Sequence, residues 1–392
     1  MRKLVILLSV FVGLVARTLE ERKEWISQGI EGVIAHSDPT ALVGVKVVSL
    51  DQGVTLYERN SRARFVPASS LKLFTAGAAL DRLGADYRFE TKVMRDGFIE
   101  GGILKGNCYL VGSGDPSLKG LDLLELVQGL TIKEIKGDLV LDVSCFEDGP
   151  MGPGWMWDEE PDFWCVPMSA LNLEHNFVEG IVIQEPEKLV ASLFKGLLDR
   201  KGILLRGKLR LGQVPEGSIC LVRHESEPLG ELIKPVLQDS DNLYANCIFK
   251  KLGGSWDKGR EAVEGFLKKA VGLEPKEMCI LDGSGESRYN LVSPEQMISF
   301  LEEMRSNHVL RDALPVGGAS GTLKKRMAPF GGKVIAKTGC MTGVSSICGY
   351  VKTGSGEELA IALFVNGYVK NGREIKVKLE DEICHILVNS DF

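Results

Sequence analysis

Ser69 and Lys72 lie in the segment Pro67-Ala-Ser-Ser-Leu-Lys72, and together they could form a nucleophile and its base. Apolar residues recur at helical spacing after Ser69, so the pair is predicted to lie at the start of a helix and to share one face. A serine hydroxyl is a weak nucleophile until a neighbouring group takes its proton. A lysine in a desolvated pocket has a lowered pKa and can be that base.

The Ser-x-x-Lys pattern alone is not specific. Its three copies in this chain are Ser69/Lys72, Ser192/Lys195 and Ser255/Lys258. For any single copy, an exposed lysine on a helix is the more common explanation. The first copy therefore gains weight only from motifs elsewhere in the chain.

Ser240-Asp-Asn242 is the second motif, and no other Ser-x-Asn occurs in the chain. One explanation is a helix N-cap, a position that serine and aspartate both favour. The functional alternative gives Ser240 the relay of a proton and gives Asn242 an amide contact to a substrate peptide group. Taken by itself, the motif favours the cap.

Lys337-Thr-Gly339 is the third motif, and a second Lys-Thr-Gly begins at Lys352. The second copy lies in a Gly- and Ser-rich stretch, which indicates a turn with an exposed lysine. Lys337 instead follows an apolar run and is predicted to end a strand at the edge of the core. Gly339 would then let a substrate backbone lie against that strand as an added β-partner.

Composition excludes several functional classes. The 392 residues carry a formal net charge of −6 and no long basic run, so a nucleic-acid partner is not expected. The nine cysteines and five histidines show no zinc-binding spacing, and an odd cysteine count leaves at least one thiol unpaired. Motifs for phosphate binding, zinc proteases and α/β-hydrolases are also missing from the sequence. We therefore expect neither a metal nor a cofactor.

The first sixteen residues resemble a targeting segment. A basic start at residues 1–3 precedes an apolar run at residues 4–16 that is too short to span a bilayer. This pattern predicts a secretory signal peptide at residues 1–16 and an exported, periplasmic protein with at most peripheral membrane contact. The alternatives are an uncleaved anchor or a buried strand.

The elements that must position the three motifs follow a simple order. A β-hairpin at residues 42–57 precedes the helix after Ser69, and helical periodicity dominates from residue 229 to 305. Three strands near residues 333–337, 344–351 and 358–365 and a closing helix complete the chain. We predict an α+β fold, an antiparallel sheet with helices on its faces. Its discontinuous domain, residues 17–91 and 227–392, would be interrupted by a mostly β insertion at residues 92–226.

The three motifs, in this order, resemble those of penicillin-binding proteins and β-lactamases. Further segments are similar to one branch of that group, the class C low-molecular-mass penicillin-binding proteins of the D-alanyl-D-alanine carboxypeptidase/endopeptidase family. These segments are residues 66–76, 110–116, 282–285, 288–294 and 321–323. The resemblance covers nearly the whole chain after residue 16.

The resemblance implies a transpeptidase-like domain and a serine peptidase that needs no cofactor. Family members cleave D-Ala-D-Ala bonds of peptidoglycan stem peptides, or cross-links, through an acyl-serine, here acyl-Ser69, and β-lactam antibiotics acylate the same residue. The backbone N–H groups of Ser69 and Cys340 would form the oxyanion hole, and Thr338 would bind the substrate carboxylate. Asp158 would come from the insertion and meet the diaminopimelate amine of the substrate.

The sequence departs from the family pattern at Cys340. A hydroxyl residue usually follows Lys-Thr-Gly in the family, so the thiol weakens one expected contact to the substrate carboxylate.

Two other functions stay open. A β-lactamase would need an additional base for rapid deacylation, and the sequence places no obvious one. A non-catalytic penicillin-binding sensor would have no need for both Lys72 and Lys337. The oligomeric state is not predicted.

Overall fold

The computed structural model describes residues 18–156, 162–369 and 371–391. Its strands are β1 (Leu42–Ser49), β2 (Val54–Arg59), β3 (Glu90–Arg95), β4 (Phe98–Glu100), β5 (Ile103–Lys105), β6 (Cys108–Val111), β7 (Glu134–Ile135), β8 (Leu139–Asp142), β9 (Phe177–Val178), β10 (Ile181–Val182), β11 (Leu204–Leu205), β12 (Leu209–Leu211), β13 (Ile219–Glu225), β14 (Val334–Met341), β15 (Val344–Lys352) and β16 (Glu358–Asn366). Its α-helices are α1 (Leu19–Ser37), α2 (Lys72–Leu83), α3 (Gly120–Gly129), α4 (Pro186–Lys201), α5 (Leu229–Lys234), α6 (Asn242–Lys251), α7 (Trp256–Phe266), α8 (Pro294–Glu303), α9 (His308–Asp312), α10 (Gly372–Ile375) and α11 (Glu382–Val388).

The central sheet has five strands in the order β14-β15-β16-β1-β2, and every neighbouring pair is antiparallel. β1 pairs along its whole length with β16, from Leu42 opposite Asn366 to Ser49 opposite Leu359. The sheet therefore joins an early hairpin to the three strands that come last in the chain. This arrangement confirms the predicted α+β class.

The sheet is buried on both faces, because successive side chains of a strand point to opposite sides. Ile347 and Val351 of β15 pack with α1 and α11, whereas Cys348 and Tyr350 pack with α2, α6, α7 and α8. α1 begins at a capping box in which Thr18 and Glu21 bond each other's backbone N–H groups. The second face is the one that carries the candidate catalytic helix.

Strands β3 to β13 form further sheets outside the central one. A five-stranded mixed sheet has the order β12-β8-β6-β3-β13, and a four-stranded sheet has the order β11-β7-β5-β4. Helices α3 and α4 share their apolar core. The segment is thus richer in helix than the sequence suggested, because α3 lies in a stretch for which only strands and turns were expected. A division at residues 91 and 227 stays a prediction.

Two predictions concern residues that the structure does not describe. The signal segment at residues 1–16 and Asp158 lie outside the described residues. No helix among the described residues is long and apolar enough to cross a membrane. No disulfide forms between the cysteines of the described residues, and several of these cysteines are buried as small apolar side chains.

Candidate active site

Ser69 lies in a 3-10 turn, Ala68–Leu71, that continues directly into α2 at Lys72. Leu71 is fully buried and anchors the turn in the core. Ala68 has a φ of +47°, a left-handed conformation that is costly for a residue with a Cβ. Strain of this kind persists only where surrounding structure holds it, and it frequently marks a functional turn.

Lys72 is fully buried beside Ser69, as the sequence predicted. Its Nζ donates to Ser69 Oγ at 2.9 Å, to Asn242 Oδ1 at 2.6 Å and to the Ser284 carbonyl at 2.8 Å. Burial lowers the pKa of Lys72 to about 8, although the carboxylates of Asp282, Glu286 and Asp241 oppose the shift. In the neutral amine, two N–H groups can keep the amide and carbonyl acceptors while the lone pair faces Ser69 Oγ.

We expect the acylation rate to rise with pH. Only neutral Lys72 can take the Ser69 proton, and a pKa of about 8 leaves the amine mostly protonated below that pH. Acylation at pH 7 should be about ten-fold slower than on the alkaline plateau. Rapid-mixing measurement of β-lactam acylation from pH 6 to 9 checks this, and a rate that is flat across the range would contradict it.

The Ser240-Asp-Asn242 motif brings its two outer side chains to the same place. Asn242 begins α6 and contacts Lys72, whereas Ser240 stands before the helix with a left-handed φ of +66°. The cap is Asp241, whose carboxylate accepts from the Tyr244 backbone N–H at 2.9 Å. The capping explanation therefore applies to the middle residue only, and Ser240 Oγ is left to contact Lys337.

Lys337 is also fully buried, and its Nζ donates to Ser240 Oγ at 2.8 Å and to the Thr338 carbonyl at 2.7 Å. Its pKa is held well below the usual lysine range, first by burial and then by the positive charge of Lys72. Contrary to expectation, the motif does not end its strand, because β14 continues to Met341. Pairing with β15 on one side holds Lys337 in place.

Close packing gives a reason for Gly339 that the sequence did not indicate. A Cβ at this position would lie 2.3 Å from Ser346 Oγ, 2.8 Å from the Pro67 carbonyl and 3.0 Å from the Ser69 backbone nitrogen. The missing side chain therefore lets β14 pack closely against the turn that carries Ser69. The predicted role of Gly339 beside a substrate backbone stays a prediction.

Thr338 and Cys340 follow Lys337 and Gly339 in alternation, so they point to the other face of β14. Thr338 Oγ1 donates to Thr322 Oγ1 at 2.7 Å, and Cys340 is exposed. Thr322 belongs to the Gly-Thr-Leu segment at residues 321–323, for which we predicted no role. A second hydroxyl thus stands beside the one predicted to bind the carboxylate.

Sequence reasoning also missed the residues that hold the Ser284 carbonyl beside Lys72. Asp282 is fully buried and accepts from the Gly285 and Ser287 backbone N–H groups, Asn290 Nδ2 and Trp155 Nε1. These bonds shape the loop whose Ser284 carbonyl contacts Lys72. In the sequence, residues 282–285 form only a family-like pattern, because no short-range signal shows that the Ser284 carbonyl faces a lysine.

The other Ser-x-x-Lys and Lys-Thr-Gly copies have structural roles. Ser255 caps α7 by accepting from the Lys258 backbone N–H, and Lys258 forms an ion pair with Glu147. Lys195 forms an ion pair with Asp199 on α4. Lys352 ends β15 and is exposed. Of the three Ser-x-x-Lys copies, only Ser69/Lys72 lies beside the other two motifs.

The inserted segment reaches this site through residues 162–178. The Trp164 carbonyl accepts from Asn242 Nδ2 at 2.9 Å, and His175 Nε2 lies 2.7 Å from Asp241 Oδ2. His175 has a left-handed φ of +60° and stacks on Phe163. Asp158, the predicted contribution from the insertion, lies outside the described residues, so its role stays a prediction.

Comparisons with known proteins identify the family. A D-alanyl-D-alanine carboxypeptidase, DacB of Haemophilus influenzae, is 29% identical over 86% of this chain and 88% of its own length. The crystal structure of penicillin binding protein 4 (dacB) from the same organism has a TM-score of 0.86 at 27% identity, covering 92% of this chain and 99% of that one. A β-lactam complex of that protein gives 0.79 at 26% identity, covering 92% of this chain and 98% of that one. The model of the D-Ala-D-Ala carboxypeptidase 3 (S13) family matches residues 26–182 and 177–387. The chain therefore belongs to the D-Ala-D-Ala carboxypeptidase 3 (S13) family.

Proposed function

We propose that this chain is a serine D-Ala-D-Ala carboxypeptidase/endopeptidase that acts on peptidoglycan stem peptides or their cross-links through acyl-Ser69. The observation that carries this proposal is the hydrogen bond of 2.9 Å from Nζ of buried Lys72 to Ser69 Oγ. The same Nζ also donates to Asn242 Oδ1. Family membership and the carboxypeptidase relative support the substrate class.

Acylation begins when neutral Lys72 accepts the Ser69 hydroxyl proton as Ser69 Oγ attacks the carbonyl carbon of the penultimate D-Ala. The backbone N–H groups of Ser69 and Cys340 would stabilise the oxyanion of the tetrahedral intermediate. Ser240, whose hydroxyl accepts from Lys337, passes a proton to the departing D-Ala amine as the peptide bond breaks. The Lys72 ammonium then gives Ser240 a replacement proton, so Lys72 is neutral again before deacylation. The products of this step are free D-Ala and a peptidyl ester of Ser69.

Hydrolysis of the ester completes the cycle. A water molecule attacks the acyl carbonyl and gives a proton to Lys72, and Ser69 leaves with a proton returned from the lysine. Asn242 would bind the substrate backbone, and Lys337, Thr338, Gly339 and Cys340 would form the side of the cleft that receives the terminal carboxylate. Asp158 would approach from the insertion toward the substrate amine.

A β-lactam ring presents a strained amide carbonyl to Ser69 in place of the peptide carbonyl, so β-lactam antibiotics are the expected inhibitors. We further propose that the chain is exported to the periplasm, where its substrate is found, with residues 1–16 as the signal. The apolar run at residues 4–16 supports this proposal. Neither nucleic acid nor a resident metal is part of the proposed function.

Substrate turnover separates the three candidate functions. The purified protein should release D-Ala from a pentapeptide that ends in D-Ala-D-Ala, and a fluorescent penicillin should label it once per molecule. A β-lactamase would instead hydrolyse many penicillins per molecule. A sensor would take the label but release no D-Ala, and either outcome would contradict the proposal.

Replacing Cys340 by threonine should improve the use of a substrate with a free carboxylate. The position is exposed on the same face as Thr338, and a hydroxyl is a better donor than a thiol. A hydrogen bond to a charged group contributes about 1.5–3 kcal/mol, so kcat/KM should rise about ten-fold or more. Steady-state kinetics on a D-Ala-D-Ala peptide measure this, with a cross-linked peptide as the comparison that should gain less. An unchanged value would show that the position does not face the carboxylate.

A further inference from the structure

Glu286 is a buried carboxylate beside the catalytic cluster, and the mechanism above does not use it. It lies in the loop at residues 282–290, with 6% of its surface exposed. Its Oε2 accepts from Asn242 Nδ2 at 3.3 Å, and its backbone N–H donates to Ser284 Oγ at 3.3 Å. The residue therefore connects the loop that contacts Lys72 with the asparagine of the second motif.

Asn242 connects Glu286 to Lys72, and Lys72 in turn contacts Ser69. Its Nδ2 donates to Glu286 Oε2 and to the Trp164 carbonyl, so its Oδ1 faces Lys72 Nζ at 2.6 Å. A flipped amide would place N–H donors against the N–H donors of Lys72 and would lose both acceptors. Carboxylate, amide, amine and serine hydroxyl thus form one continuous chain of hydrogen bonds.

Glu286 differs from the other charged groups around Lys72. Asp282, Glu286 and Asp241 each favour the protonated amine, and Lys337 is the neighbouring basic group. Asp282 is occupied by four donors that shape its loop, and Asp241 caps α6 and contacts His175. Of these three carboxylates, Glu286 is the one that contacts the Asn242 side chain.

We propose that Glu286 is a positioning residue of the acylation step, which holds the Asn242 amide with Oδ1 toward Lys72 and supplies negative charge that retains the Lys72 proton. This inference rests on the proposed role of Lys72 as the base. It predicts that Glu286 sets the pH range in which Ser69 becomes reactive, although it contacts neither Ser69 nor the substrate carbonyl in the mechanism.

The test is the pH profile of β-lactam acylation in the full-length protein. Glu286→Gln keeps an oxygen that can accept from Asn242 and removes the charge, so the acidic limb should move to lower pH. A shift of about one unit would make acylation at pH 7 roughly five-fold faster than in the unmodified protein, because more Lys72 is neutral. The alkaline plateau should stay within about two-fold of the original value, because the hydrogen bond is kept.

Two further variants make the result decisive. Glu286→Asp keeps the charge and should leave the limb near its original pH, whereas exposed Glu303→Gln on α8 removes a charge that does not act on Lys72 and should change nothing. Equal shifts for Gln and Asp, or a Gln profile that superimposes on the original, would overturn the role of Glu286. Failure of the unmodified protein to take a β-lactam label at Ser69 would instead overturn the proposed function.

Discussion

Ser69→Ala should abolish covalent labelling by penicillin and leave the fold intact. The substitution removes one hydroxyl from a half-buried position, and Ala68 and Leu71 continue to anchor the turn. Without the nucleophile no acyl-enzyme can form, so D-Ala release should fall by about 10³-fold or more. Mass spectrometry of the intact, penicillin-treated protein measures the label, and thermal unfolding checks the fold.

Ser192→Ala and Ser255→Ala are the matched controls, because each serine also precedes a lysine by three residues. Ser192 is exposed on α4, so its variant should label and unfold like the original protein. Ser255 caps α7, so its variant should lose about 1 kcal/mol of stability and still take the label. A penicillin-modified peptide that contains either serine would show that the nucleophile has been misassigned.

Lys337→Met should reduce acylation by about 10²-fold or more, because the amine that donates to Ser240 disappears from a buried position in the cleft. Methionine keeps much of the apolar volume of the lysine stem, which limits the effect on packing. The loss should appear both with a β-lactam and with a D-Ala-D-Ala peptide, since Lys337 contacts Ser240, which the proposed mechanism uses with either compound. Second-order acylation rates of Lys337→Met and Lys352→Met decide the matter.

Lys352→Met is the comparison, since it changes the lysine of the other Lys-Thr-Gly copy. This lysine is exposed at the end of β15, so stability should change by less than about 0.5 kcal/mol and acylation should stay the same. Similar losses in both variants would mean that the loss at Lys337 reflects general damage to the sheet. A loss confined to Lys337 supports its place in the cleft.

The short motifs were predictable because each combines a chemical group with a local backbone signal. Ser69 and Lys72 share a helical turn, and the run before Lys337 has the pattern of a strand, so both positions follow from nearby residues. The order of the three motifs then indicated one cleft. Their meeting, with Lys72 bonded to Asn242 and Lys337 to Ser240, agrees with that expectation.

The remaining features depend on contacts between distant segments, which no local pattern reports. The close approach of Gly339 to Pro67 shows that the glycine serves packing, a role that the sequence did not indicate. The left-handed φ of Ser240 arises from the join between a helical turn and α6, where Asp241 takes the cap. Glu286 and Thr322 likewise acquire their neighbours only in the folded chain.

The pairing of β1 with β16 has a consequence for how the molecule folds. Contacts between segments far apart in sequence are slow to form, because a long loop must close before they add stability. β1 lies between β2 and β16, so the hairpin gains its second neighbour only after the last strand has been synthesised. Ser69 follows that hairpin, whereas Lys337 is in the meander that ends with β16. The catalytic cluster should therefore assemble late, and a partly made chain would carry an unreactive Ser69.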